Sequence, residues 1–159
     1  MSKTVDRALV IPASAEWLFD LTQDYGRRLE WDPFLSIAEL HGERADVGVR
    51  AWCVAKRPAW GMETEYVTFK RPEVVAVKMT RGPWFLTKFA GSWRFRPAEG
   101  GTEVTFRYTF ETRPAAIALA AYAAFDWDTK RRLVALKAFA ERRARLEEAE
   151  AGQPRREVV

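Results

Sequence analysis

One long amphipathic helix at the end of the chain constrains the fold more than any other feature of this sequence. Over residues 114–150 the apolar side chains recur at spacings of three, four or sums of these, a pattern typical of one buried helix face. These positions are Ile117, Ala121, Tyr122, Phe125, Leu133, Leu136 and Phe139. Such a helix is roughly 50 Å long, and a chain of 159 residues cannot bury it on all sides. We expect its apolar face to lie against a sheet.

The rest of the chain is mainly strand-like. Alternating apolar and polar residues, bounded by turn signals, predict strands at 4–11, 35–41, 47–56, 62–71, 74–81, 85–96 and 102–112. Short connections between the last six make neighbouring strands antiparallel. After the first strand, Ser14 has the residue type of a helix N-cap, and a second short helical turn is predicted at 27–31. The predicted order is therefore β-α-α, then six strands, then the long helix.

Alternation also predicts which side chains point into the interior. In the last three strands the inward set is Val75, Val77, Met79, Phe85, Phe89, Gly91, Trp93, Phe95, Val104, Phe106, Tyr108 and Phe110. The strand at 62–71 allows two arrangements. Either Val67 and Phe69 point inward together with Glu63 and Glu65, or Tyr66 points inward and both glutamates are in solvent, which is the preferred arrangement. A carboxyl group buried in an apolar interior has a raised pKa and can act as a general acid or base.

Composition excludes several classes of protein. The single cysteine, Cys53, excludes an internal disulfide and a multi-cysteine zinc site and favours a cytoplasmic location. The N-terminal residues lack the apolar run of a signal peptide. The net charge is +4, and glutamates are interleaved with the basic residues of the last helix. This mixed pattern is typical of a solvated helix face and does not favour nucleic-acid binding. The sequence has no phosphate loop, zinc-type spacing or nucleophile elbow, and we expect no metal and no other cofactor.

Five short segments carry a resemblance to a known family. They are residues 8–21 (ALVIPASAEWLFDL), 31–34 (WDPF), 91–97 (GSWRFRP), 100–104 (GGTEV) and 136–141 (LKAFAE). In this order and spacing, the chain resembles the START-like (SRPBCC) superfamily, and within it the small polyketide cyclase/dehydrase-type proteins with the helix-grip fold. The resemblance covers residues 4 to about 148.

The resemblance implies an α+β architecture of order β-α-α-β6-α. A curved, seven-stranded antiparallel sheet grips the long C-terminal helix, two short helices support that helix, and a hydrophobic cavity lies between sheet and helix. Residues 1–150 would form one such domain, followed by a flexible tail at 151–159. Members of the superfamily bind sterols, lipids, polyketides, quinones or plant hormones, and only some catalyse a reaction, so the fold does not settle the function.

With this geometry, the inward side chains become candidate cavity walls. The expected ligand-binding residues are Met79, Phe89, Trp93, Phe106, Tyr108, Tyr122 and Phe125. The alternative is that these side chains fill a solid core. Gly91 removes a side chain from the inner face, which is compatible with close approach of a ligand. The catalytic candidates are Glu63, Glu65, Tyr66 and Tyr108.

Three connections are expected to surround the cavity mouth. They contain the predicted mouth residues Arg57, Trp60, Arg81, Trp84 and Arg113, together with prolines. A basic rim with tryptophans suits an amphipathic ligand with an acidic head, or transient contact with an anionic membrane surface.

Three functions are compatible with these observations. The first is binding of a small hydrophobic or amphipathic ligand of lipid, polyketide or aromatic type. The second is a polyketide cyclase/dehydrase-type enzyme that uses cavity Tyr and Glu groups, with catalysis arising mostly from proximity and orientation. The third is a quinone- or lipid-handling protein or a macromolecular interaction module. A fully packed interior would favour the interaction module, an open cavity lined by apolar and Tyr groups would favour binding, and an inward Glu63 or Glu65 would favour chemistry.

Overall fold

A computed structural model describes residues 2–153 of the chain. Its seven strands are β1 (Lys3–Ile11), β2 (Leu35–His41), β3 (Arg50–Ala55), β4 (Gly61–Lys70), β5 (Val74–Arg81), β6 (Leu86–Ala98) and β7 (Gly101–Thr112). They form one antiparallel sheet in the order β1-β7-β6-β5-β4-β3-β2. The predicted sheet is therefore confirmed, and most strand boundaries differ from the predicted ones by only one or two residues.

The inner face of the sheet follows the predicted alternation in its long strands. The inward side chains of β7 are all buried, and in β6 Phe89, Trp93 and Phe95 are buried as well. The rows of side chains face each other because β6 and β7 pair in a continuous register from Lys88↔Glu111 to Ala98↔Gly101. This double row of aromatic side chains forms the inner face of the sheet, and the last helix lies over it.

A β-bulge in β4 decides between the two arrangements that alternation left open. Tyr66 pairs with Val77, but the next pair is Thr68↔Ala76, so Val67 is an extra residue on this strand. Val67 is 44% exposed, whereas Tyr66 is 1% exposed. Because the bulge shifts the alternation, Phe69 packs against the core on the same side as Tyr66.

Two short helices and one long helix cover the sheet. Helix α1 (Ala15–Gln23) begins where the Ser14 hydroxyl accepts a hydrogen bond from the Trp17 amide, as expected for an N-cap. Helix α2 (Arg28–Trp31) follows at once. After β7, a 3-10 turn (Ala115–Ile117) leads into helix α3 (Ala118–Ala151). Residue 151 of the predicted tail thus belongs to the helix, and residues 154–159 lie outside the described residues.

The two halves of α3 are held differently. In the second half Leu133 and Leu136 are buried, and Phe139 stacks on Trp17 of α1 with ring centroids 6.3 Å apart. In the first half the inward side chains are largely alanines, and Leu119 on the outer surface is 73% exposed. The first half therefore lies over the sheet without filling the space beneath it. Within residues 2–153, no helix combines the length and apolar character needed to cross a membrane.

Candidate functional site

A cavity of about 550 Å³ lies between the sheet and the first half of α3. This volume is within the range of small-molecule sites. Its apolar walls are Val75 and Val77 of β5, Phe89 and Trp93 of β6, Phe106 of β7, and Ile117, Ala121, Ala124 and Phe125 of the C-terminal turn and helix. The interior is thus an open cavity and not a solid core.

Cross-strand packing fixes the aromatic wall. Trp93 and Phe106 are directly opposite in the register and stack with ring centroids 3.9 Å apart. Gly91 is opposite Tyr108, and a Cβ atom at Gly91 would lie 3.1 Å from the Tyr108 ring. Gly91 therefore makes room for the tyrosine ring, and it also lines the cavity.

The inner end of the cavity is polar and strongly charged. Asp32, which follows α2, accepts hydrogen bonds at Oδ2 from Arg28 Nε at 2.9 Å and from Arg132 Nε and Nη2 at 3.1 and 2.9 Å. The Phe34 amide donates to its other oxygen, Oδ1, at 3.0 Å. Arg28 Nη1 donates to the Thr22 carbonyl at 2.8 Å. Both arginines line the cavity, whereas the carboxylate lies behind them.

Each charge in this cluster is stabilised by its neighbours. Burial by itself raises the pKa of the Asp32 carboxyl, but Arg132 and Arg28 outweigh burial and lower it below the ordinary value. Burial likewise opposes the charge of Arg28, but Asp32 reverses this effect and raises the guanidinium pKa. The Arg132 guanidinium also lies over the Phe106 ring, 4.8 Å from its centroid. Asp32 and its two arginine partners thus form an ion cluster in which each side chain is almost fully buried.

Tyr108 and Asp128 complete the polar end. The Tyr108 hydroxyl accepts a hydrogen bond from Arg132 Nη1, and burial raises the pKa of Tyr108 to about 12. The tyrosine is thus a neutral group at physiological pH. Asp128 lines the cavity one turn before Arg132, with its side chain 19% exposed. Burial raises the pKa of its carboxyl group in spite of the neighbouring arginines.

Five of the expected ligand-binding residues line the cavity, namely Phe89, Trp93, Phe106, Tyr108 and Phe125. The other two do not. Met79 lies at the end of β5, where its side chain covers Gly82 in the following turn. Tyr122 lies on the flank of α3 above β1, on the same side as Asp126, which pairs with Arg7. The positions of α3 that line the cavity are 120, 121, 124, 125, 128 and 132, and residue 122 lies outside this set.

The catalytic candidates on β4 lie outside the cavity. Glu63 and Glu65 are on the outer face of the sheet, where both approach Arg50, at 3.5 and 3.2 Å. Tyr66 points inward, but its hydroxyl donates to Gln23 Oε1 at 2.7 Å, and Gln23 and Tyr25 separate it from the cavity. Of the four candidates, only Tyr108 is a cavity group.

The mouth contains three of its five predicted residues. Arg57, Trp60 and Trp84 line it, together with Pro58 and Pro83, and we call these five residues the rim. Arg81 is absent from the rim because its side chain turns to the outer face of the sheet, 3.7 Å from Glu63. Arg113 is exposed nearby and joins the mouth only through its backbone amide, which donates to the Phe85 carbonyl at 2.9 Å.

The sequence analysis missed the residues that make the inner end polar. These are Arg28, Asp32, Asp128 and Arg132. A signal for two of them was present, because Asp128 and Arg132 continue the apolar row of Ala121 and Phe125 at helical spacing. A charged residue within a buried stripe indicates a functional or paired group. In the part of the chain that the structure describes, no group of three His, Cys, Asp or Glu side chains is arranged to hold a metal ion.

Comparison with known proteins agrees with this architecture. A family model described as "Polyketide cyclase / dehydrase and lipid transport" matches residues 2–141, so the chain belongs to this family. No curated protein sequence matches the chain.

Several solved structures share the fold at low sequence identity. Ara h 8.0201 is 16% identical, with a TM-score of 0.70 over 88% of this chain and 98% of that chain. The di-domain ARO/CYC StfQ from the steffimycin biosynthetic pathway is 19% identical, with a TM-score of 0.75; the match covers 91% of this chain but only 52% of StfQ. Norcoclaurine synthase from Thalictrum flavum, solved with dopamine and hydroxybenzaldehyde, is 11% identical, with a TM-score of 0.69 over 89% of this chain and 88% of that chain.

The charge cluster predicts a large effect of Asp32→Asn on stability. The variant leaves two buried guanidinium groups without a counter-charge, which costs about 3–5 kcal/mol in comparable buried ion pairs. Because folding lowers the pKa of Asp32, its contribution is present above about pH 4 and is lost as the pH falls further. Urea unfolding at pH 7 and pH 3.5 should therefore show a large difference between wild type and variant at pH 7 and a smaller one at pH 3.5.

Asp20→Asn is the matched control. Asp20 forms an equally short ion pair with Arg71, at 2.7 Å, but both side chains are about half exposed. Its loss should reduce stability by only a small fraction of the Asp32 effect, because solvent screens surface pairs. Equal effects of the two substitutions at pH 7 would contradict the account of the cluster.

Proposed function

We propose that this protein binds a small hydrophobic or amphipathic ligand, of lipid, polyketide or aromatic type, in the cavity between the sheet and α3. The observation that carries the proposal is the cavity itself. It has a volume of about 550 Å³, aromatic and aliphatic walls, an open rim and a few polar groups at one end. Apolar walls supply most of the affinity in such sites, and a small number of polar groups fix orientation.

The alternatives receive less support from the same residues. A cyclase acting through Glu63 or Glu65 would need those carboxylates inside, and both form ion pairs on the outer face. An interaction module was expected to have a packed interior, whereas the interior here is open. Family membership supports a hydrophobic-ligand or cyclase role in general, and the open cavity leads us to favour binding. The proposal includes one binding domain over residues 1–150 and a cytoplasmic location.

Ala121→Trp tests ligand binding in the cavity. Ala121 faces the cavity from α3, so an indole there would occupy the space of the ligand. We expect the affinity for the neutral fluorescent probe N-phenyl-1-naphthylamine to fall by about tenfold or more, which corresponds to a loss of ~1.4 kcal/mol. Fluorescence titration measures this change.

Ala123→Trp is the control, because residue 123 is exposed on the opposite side of the same helix. It should bind the probe as the wild type does. Failure of the wild type to bind, or an equal loss in both variants, would contradict binding in this cavity.

We further propose that the rim makes transient contact with an anionic membrane surface, from which an apolar ligand could enter. Trp84 is 79% exposed and lines the same rim as Arg57. Exposed tryptophans beside basic residues suit the interface of an anionic bilayer, where the ring partitions among headgroups and the cation is attracted to the surface.

Vesicle co-sedimentation tests the membrane contact. Wild-type protein should sediment with vesicles that contain phosphatidylglycerol, and high salt should weaken the binding. Trp84→Ala should reduce the bound fraction several-fold, whereas Trp127→Ala should not, because Trp127 is 61% exposed on α3 but does not line the rim. Equal behaviour of the two variants, or no sedimentation of the wild type, would exclude a contact through the rim.

A further inference from the structure

The buried charged groups of the cavity lie at its inner end, and the deepest of them are more cationic than anionic. Arg28 and Arg132 are 6% and 4% exposed, and a single carboxylate, Asp32, lies between them. Two guanidinium groups against one carboxylate leave an excess positive charge, because the other carboxylate at this end, Asp128, lies 3.7 Å from a third guanidinium, that of Arg131. In an apolar interior such an excess is costly unless an anion or strong acceptors compensate it.

Hydrogen-bond donors at this end remain available to a ligand. Nε and Nη1 of Arg28 donate to Asp32 and to the Thr22 carbonyl, and its Nη2 has no hydrogen-bond acceptor among residues 2–153. The Tyr108 oxygen accepts from Arg132, so its own proton can be donated to another group. Both residues line the cavity. A guanidinium N–H and a phenol O–H at the same site form a donor set suited to an oxyanion.

We infer that the ligand carries a compact anionic oxygen head, of which a carboxylate is the simplest case, and that this head lies at the inner end against Arg28, Arg132 and Tyr108. The inference rests on the proposed function, because it requires that the cavity hold a ligand. The apolar body of the ligand then extends along Trp93, Phe89 and Phe125 toward the rim. This orientation is the reverse of one in which the head remains at the basic rim.

Binding of the anionic head is coupled to protonation of the Asp128 carboxylate. It lies at the same end, close to Arg132 and Arg131 of α3, to Asp32 after α2 and to Tyr108 of β7. When Asp128 is ionised it supplies the second negative charge and competes with a bound oxyanion for the arginines. A ligand head therefore favours the protonated form of Asp128, so binding takes up a proton and weakens as the pH rises.

Three probes of equal chain length distinguish the contribution of the ligand's polar head to the affinity from that of its apolar chain. Dodecanoate, dodecanol and dodecylamine are titrated by calorimetry below their aggregation limits at pH 7. We expect dodecanoate to bind about tenfold more tightly than dodecanol, since charge-assisted hydrogen bonds add to the same apolar contacts, and dodecylamine to bind most weakly. Equal affinity of acid and alcohol would overturn the inference and leave the proposed function intact. Failure of all three probes to bind would instead overturn the proposed function.

Asp128→Asn tests the proton coupling without removing either arginine. In the wild type, dodecanoate affinity should fall as the pH rises through the range in which Asp128 loses its proton, whereas the variant should bind dodecanoate several-fold more tightly than wild type at pH 8.5 and show no such fall. Dodecanol affinity should be unchanged. Asp126→Asn is the control, because Asp126 pairs with Arg7 and does not line the cavity. If Asp128→Asn behaves as Asp126→Asn does, the role assigned to Asp128 is wrong.

Discussion

The rest of the site depends on one buried carboxylate. Asp32 Oδ2 accepts hydrogen bonds from Arg28 and Arg132, and Arg132 continues to the Tyr108 hydroxyl. This chain of contacts joins the segment after α2, the long helix and strand β7. Because both arginines are buried, loss of the carboxylate would leave their charges without a compensating partner. Asp32 thereby positions the arginines at the inner end of the cavity and fixes α3 over the sheet at that level.

The cavity exists because the two halves of α3 differ in side-chain size. Beyond Arg132, Leu133, Leu136 and Phe139 are large and pack against the core and α1. Before it, Ala121 and Ala124 face the sheet and leave the space beneath them open. The cavity is thus apolar because large aromatic rings of the sheet lie opposite small residues of the helix. The ion cluster closes its inner end.

Periodic patterns in the sequence were sufficient for the order of helices and strands and for one wall of the site, whereas the helix-grip architecture was implied by the family resemblance. Alternation over β6 and β7 placed Trp93 and Phe106 correctly, because a regular antiparallel pair keeps its period of two. Alternation was insufficient in β4, because the bulge at Val67 interrupts the period of two and no local sequence pattern predicts the bulge. Tyr122 was misplaced since the apolar stripe of α3 is wider than the row that faces the cavity.

The polar end could not be derived in full from local patterns. Asp32 and Arg132 are 100 positions apart, and their contact follows from how α2 and α3 meet in the folded protein. The only local sign was the presence of Asp128 and Arg132 in an otherwise apolar row. Spacing shows that such residues face inward, but it does not show which partners they meet there.

The most direct test of this account is a crystal structure of the protein with 12-bromododecanoate. The anomalous signal of bromine locates the far end of the ligand independently of how its chain is interpreted. We predict the carboxylate within hydrogen-bonding distance of Arg28 or Arg132 and the bromine between Trp60 and Trp84 at the rim. Bromine beside Arg132, or a cavity without ligand at saturating concentration, would contradict the account.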